Sequence, residues 1–312
     1  MADLKLYYYP ISFYSKKALL ALFEKEAKFR EQIVVIMKGE QNEPWYMKVT
    51  PKGTVPALEV PGTVLTDSED IVNYLDKQLD TGIQLIPSPE TKIGQDVDKW
   101  RKQFNDLNIE VITNGILFYQ ELSETGIKLP SFLKKSLDSA KESMRNERKT
   151  LQEKADKYPE HRKDFLAKIS IHDQRMAKLE NKEVVKQYLN ELDTLFDQIE
   201  SRLAETRKEQ GVADSWLVGS RFTMADINLV VLLDRLSFLG MEERYFTPSN
   251  RPLTYDFFVR MDKRKSVQQL RKNIKRLWKI ILGRMLKKAI PVVVGVLGVV
   301  AGIFYWRGVA QG

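Results

Sequence analysis

The sequence predicts an α/β domain followed by an all-helical domain, with a membrane-crossing helix close behind. Three observations carry this. Over the first 80 or so residues the apolar and turn residues follow the order β-α-β-α-β-β-α. From Thr91 onward apolar residues recur at helical spacing almost throughout. Finally, Ala289–Trp306 (AIPVVVGVLGVVAGIFYW) is a run of 18 residues without a charge, close to the length that spans a bilayer.

The chain has 312 residues, enough for two domains with a substantial core. It contains no cysteine and only two histidines, His161 and His172. Disulfides, thiolate metal sites and a cysteine nucleophile are excluded, and no metal is expected. The net charge of +8 is unevenly placed. Residues 263–312 hold 12 Lys/Arg and no acid, leaving 38 basic against 42 acidic residues elsewhere. The mildly acidic body and basic tail point to an anionic partner for the tail, a membrane or a nucleic acid. Nucleic acid offers nothing to bury residues 289–306, so the membrane is preferred.

At the N-terminus, Asp3, Lys5, Lys16 and Lys17 interrupt any apolar core, which excludes a secretory signal. Leu4–Tyr8 reads as the first strand and Pro10-Ile11-Ser12 as a loop. Ser15–Lys25 reads as a helix with Ala18, Leu19, Leu22 and Phe23 on one face. Phe29–Ile36 is a second strand, and Trp45–Val49 a short helical piece.

Thr54–Val60 is an apolar strand interrupted by Pro56. Proline removes a ladder donor, so either the strand is an edge there or the Val55–Pro56 bond is cis. In the cis case the Val55 backbone faces outward and can pair with an extended peptide. Pro61-Gly62 is a turn and Thr63–Thr66 the return strand. Asp67 or Ser68 caps a helix carrying Ile71, Val72, Tyr74, Leu75 and Leu79. Its N-terminal amides and dipole attract a carboxylate. The two features together make a socket for a small anionic peptide.

This stretch, Pro51-Lys52-Gly53-Thr54-Val55-Pro56-Ala57-Leu58 followed by Asp67-Ser68, Ile71 and Tyr74-Leu75, resembles the glutathione-site core of the glutathione transferases. The resemblance implies a thioredoxin-like domain over 1–82, a linker at 83–90 and an all-helical domain over 91–262. It implies glutathione as ligand or co-substrate and a homodimer as an assembly to test for. Val55, beside Pro56, would hold the cysteinyl backbone. Asp67 and Ser68 would hold the γ-glutamyl end, with Asp67 standing where the family usually has Glu or Gln. Lys52 would face the glycyl carboxylate. Ser12, two residues past Pro10, stands where serine-type members carry the thiol-activating hydroxyl. Tyr8 is its rival, because tyrosine-type members carry theirs at the end of this strand. Ser15 would cap the first helix, while Tyr7 and Tyr9 read as strand-face packing.

In the second half, Gln95–Glu124 reads as one long helix and Tyr188–Ala204 as another. Between them, about 134–187, mixed charges outnumber large apolar residues. Long exposed helices that leave the ligand groove open are expected there. Thr223 and Asp226 stand at capping-box spacing ahead of the apolar helix Ile227–Leu239. With the preceding Leu217-Val218-Gly219 they resemble the folding motif of the transferase helical domain. Residues 263–288 form a basic amphipathic segment with a stripe at Leu270, Ile274, Leu277, Trp278, Ile281 and Met285, suited to a membrane surface.

The combination of a transferase-like N-terminal half, a charged helical insertion, the string Phe118–Gly126 and one span at 289–306 resembles the ganglioside-induced differentiation-associated protein 1 family. That resemblance implies a tail-anchored protein of the mitochondrial outer membrane, facing the cytosol, with peroxisomes as a second address. It implies a role in mitochondrial network dynamics, fission and redox balance, with weak or absent transferase activity. The alternative is an active membrane-anchored transferase that conjugates glutathione to electrophiles.

Overall fold

The computed structural model describes residues 3–134, 136–211 and 215–283. Four strands form one sheet in the order β2-β1-β3-β4: β1 (Lys5–Tyr8), β2 (Arg30–Ile33), β3 (Ala57–Val60) and β4 (Thr63–Leu65). β1 runs parallel to β2 and antiparallel to β3. The crossover helix α1 (Phe13–Glu24) joins the parallel pair. α2 (Pro44–Met47) and α3 (Ser68–Gln78) complete the domain, and Val72, Leu75, Leu19 and Leu22 are fully buried. The element order matches the expected one, and the Val55–Pro56 bond is cis.

The helical half departs from expectation in three places. The single helix expected at Gln95–Glu124 is two, α4 (Lys92–Asn105) and α5 (Ile109–Phe118). The break falls at Asp106-Leu107-Asn108, where Asn108 Oδ1 accepts from the Val111 amide at 3.3 Å and starts a new helix. After the short α6 (Ser131–Lys134), the charged stretch folds as a hairpin, α7 (Ser136–Lys157) and α8 (Arg162–Leu179). The helix expected at Tyr188–Ala204 is longer: α9 runs from Lys182 to Gln210. Asn181 caps its start by accepting from the amides of Glu183 and Val184, and Gly211 ends it at φ 65°.

The hairpin is also less exposed than its composition suggests. Leu151, Ala155, Phe165 and Ile169 form a buried cluster with Met47 of α2. Lys154 donates to Glu43 Oε1 at 2.7 Å. A few well-placed apolar residues anchor the insertion on the thioredoxin-like domain, so it does not stand away from it.

α10 (Met224–Phe238) is buried along nearly its whole length. Its start is the expected capping box: Asp226 Oδ2 accepts from Thr223 N at 2.7 Å and Thr223 Oγ1 at 2.9 Å. Asp226 Oδ1 also accepts from Leu217 N at 2.7 Å. Past α11 (Glu242–Tyr245) and α12 (Pro252–Met261), a helix begins at residue 265 and is described to residue 283. The compact body reaches Leu270. Val267 and Leu270 are buried, and Arg264 and Ser266 hold Glu24 of α1 at 2.5–2.6 Å. The first turns of the basic segment are therefore part of the body. Among the described residues no helix is long and apolar enough to cross a membrane. The apolar segment 289–306 lies outside the described residues.

Candidate functional site

Sheet register brings three loops to one end of the sheet. Tyr7 of β1 pairs with Ala57 of β3, and Leu58 pairs with Leu65 of β4. The loop after β1, the Val55–Pro56 step before β3 and the start of α3 after β4 therefore share an edge. Val55 precedes the ladder, which begins at Ala57.

Ser12 is the N-cap of α1, and its Oγ accepts from the Ser15 amide at 3.3 Å. Accepting that bond leaves its O–H free to donate, in the positive field of a 12-residue helix. Ser15 does not cap α1. It is buried, and its Oγ accepts from Tyr9 N at 3.3 Å. Tyr8 is fully buried and donates to Glu31 Oε2 at 2.5 Å. Side chains alternate across a strand, so Tyr8 lies on the opposite face of the sheet from Tyr7. Tyr7 donates to Glu59 at 3.2 Å and Tyr9 is buried, both on the opposite face.

Asp67 is the N-cap of α3; its Oδ1 accepts from the Glu69 amide at 2.7 Å and the Asp70 amide at 3.4 Å. Ser68 is buried. Asp67 thus already serves α3 while its side chain stays exposed to a ligand. Asp67→Ala is expected to lower stability by about 1 kcal/mol and Asp67→Asn to leave it nearly unchanged, because asparagine caps as well. Urea melts of the two variants check this. The neighbouring Glu69 accepts from Arg101 at 2.9 Å and from buried Lys17 at 3.4 Å. Lys52 is exposed in the turn before Gly53.

Sequence reasoning missed three groups, two of them contributed by the helical half. Arg235 of α10 donates to the Ile11 carbonyl at 2.7 Å, directly before Ser12. Burial pushes its guanidinium down to about 10, and its Nε is without a partner. Tyr14, half exposed, has its hydroxyl pushed up by burial, with Glu110 and Asp67 adding to the shift and Arg235 opposing it. Lys168 of α8 reaches the other end: its Nζ donates to Asn42 Oδ1 and lies 3.7 Å from Met47 Sδ. Burial pushes its ammonium down to about 8, with Glu147 and Asp164 opposing the shift. A lysine in a charge-rich helix reads as solvated, so only the docking of the hairpin reveals Lys168.

A thioredoxin-like sheet with a cis-proline step, a helix N-terminus and a capped serine on one edge, backed by an all-helical half, defines a protein of the glutathione transferase build. The comparisons agree. The model of the glutathione S-transferase N-terminal domain matches residues 6–81, and that of the C-terminal domain matches residues 133–265. Together they take in more than half of the 312 residues, and the chain belongs to the glutathione S-transferase family. It is 28% identical over 272 residues to human (Homo sapiens) ganglioside-induced differentiation-associated protein 1-like 1, covering 84% of this chain and 72% of that protein. Among solved structures, the beta-etherase LigF from Sphingobium sp. strain SYK-6 aligns with a TM-score of 0.63 at 21% identity. The alignment covers 87% of this chain and 99% of that one. The glutathione transferase URE2P8 from Phanerochaete chrysosporium, solved with oxidized glutathione, aligns with a TM-score of 0.59 at 18% identity, over 89% and 98% of the two chains. Among the described residues no group of His, Cys, Asp or Glu is placed to hold a metal.

Proposed function

We propose that this protein binds glutathione at the shared sheet edge, with the thiol at Ser12, the cysteinyl backbone along Val55, and the γ-glutamyl end at Asp67 and Ser68. The observation that carries this reading is Ser12 itself: it is a helix cap whose oxygen is engaged as an acceptor and whose hydrogen is free for a thiolate. A donated hydrogen bond favours the charged form of the thiol. Ser12→Ala is expected to raise the pKa of bound glutathione's thiol by about 1 to 2 units, one unit being about 1.4 kcal/mol. Glutathione affinity should change little. Ultraviolet absorbance of the thiolate across a pH titration reads this without needing turnover. An unchanged thiol pKa in Ser12→Ala overturns the assignment.

The wider reading is a tail-anchored protein on the cytosolic face of the mitochondrial outer membrane, acting on network dynamics and redox balance with weak or absent transferase activity. Its support is the uncharged run 289–306, flanked by Lys287, Lys288 and Arg307, with modest hydrophobicity per residue. A reporter fused ahead of residues 263–312 should resist carbonate extraction and lose that resistance when 289–306 is deleted. Conjugation of an electrophile by the full chain would favour the active-transferase alternative.

A further inference from the structure

Lys168 of the inserted α7–α8 hairpin reaches the loop that leads into the Val55–Pro56 step. Lys168 is partly buried, and its Nζ contacts an amide oxygen of Asn42 and the sulfur of Met47. Among the described residues no carboxylate lies within 4.0 Å of it. Glu147 and Asp164 act on it only from beyond ion-pair distance, and a partly buried cation gains from a direct partner. It is also held where it is: Phe165 and Ile169, flanking it on α8, are locked into the cluster with Met47, Leu151 and Ala155. The chain leaves room for it at Gly53, where an added Cβ would stand 2.1 Å from Lys168 Nζ. Gly53 lies two residues before Val55, which places the ammonium beside the backbone that would carry an extended peptide.

We propose that Lys168 is a ligand-binding residue that reads the C-terminal carboxylate of the bound thiol peptide, making the inserted hairpin a working part of the site. This rests on the glutathione reading above and moves the carboxylate contact from exposed Lys52 to a cation on the helical half. A carboxylate arriving at Nζ supplies the missing counter-charge, and Asn42 keeps its amide oxygen on the same ammonium.

The test is calorimetry of the full chain with two probes, glutathione and its glycyl monoethyl ester, which differ in that one charge. The wild type should bind the acid about ten- to a hundred-fold more tightly than the ester, as for a charge-assisted bond. Lys168→Met keeps the buried stem and should bind both probes equally, at the ester's affinity. Lys168→Arg should restore part of the preference. Equal affinities for acid and ester in the wild type overturn the Lys168 assignment while leaving glutathione binding in place. So does a gain in glutathione affinity in Lys168→Met, which would make the lysine a block. Binding of neither probe by a folded wild type overturns both readings.

Discussion

Replacing Asp226 with alanine is expected to lower the stability of the body by about 2 to 6 kcal/mol. Asp226 is the N3 half of the capping box, and the N-cap Thr223 stays in place. The cost is that of two buried amides, Leu217 N and Thr223 N, left without their acceptor, about 1 to 3 kcal/mol each. Total stability of a domain is about 5 to 15 kcal/mol, so Asp226→Ala should unfold at far lower urea than wild type. The pH dependence follows from the same burial. Desolvation pushes the Asp226 carboxyl up to about 6, against the donors from Leu217 and Thr223. The folded state therefore holds this proton more tightly than the unfolded chain. The stabilisation from that proton is complete below about pH 4 and is lost as pH rises through about 6. Urea melts of Asp226→Asn should be flatter across this window than those of the wild type. A midpoint for Asp226→Ala within the error of wild type would overturn the expectation.

Replacing Lys16 with methionine should have a comparable effect through the junction of the two halves. Lys16 of α1 pairs with Asp234 of α10, with both side chains at most 6% exposed. Removing the cation takes the ion-pair partner from a buried carboxylate, which costs about 3 to 5 kcal/mol. Removing both charges in Lys16→Met/Asp234→Leu should recover most of it, because an apolar pair of similar volume carries no desolvation penalty. The coupling energy from a double-mutant cycle should exceed about 2 kcal/mol. Additive costs would mean that the two residues act separately. Arg235, next in the chain to Asp234, donates to the Ile11 carbonyl, so Lys16→Met is also expected to loosen the loop that presents Ser12.

The sequence by itself determined the thioredoxin-like order of elements, an edge or a cis bond at Val55–Pro56, a cap at Asp67 or Ser68, and the Thr223–Asp226 capping box. Each is a local signal: a proline in an apolar strand, or a short polar side chain one turn from the amide it caps. The resemblance to serine-type transferases marked Ser12, while the cap of α1 was expected at Ser15 and lies at Ser12. Tertiary structure decided what local spacing does not encode. It placed the hydroxyl of Tyr8, the rival of Ser12, on Glu31 of β2. It docked the charged hairpin, because Leu151, Phe165 and Ile169, sparse in sequence, converge on Met47 from a distant element. It brought Arg235 and Lys168 to the two ends of the site from α10 and α8, roughly 220 and 115 residues beyond the loops they touch. Sequence pattern reports the partners of a residue within a turn or a strand repeat; a buried cation meeting a loop across the fold is a product of packing, and only the folded chain holds it.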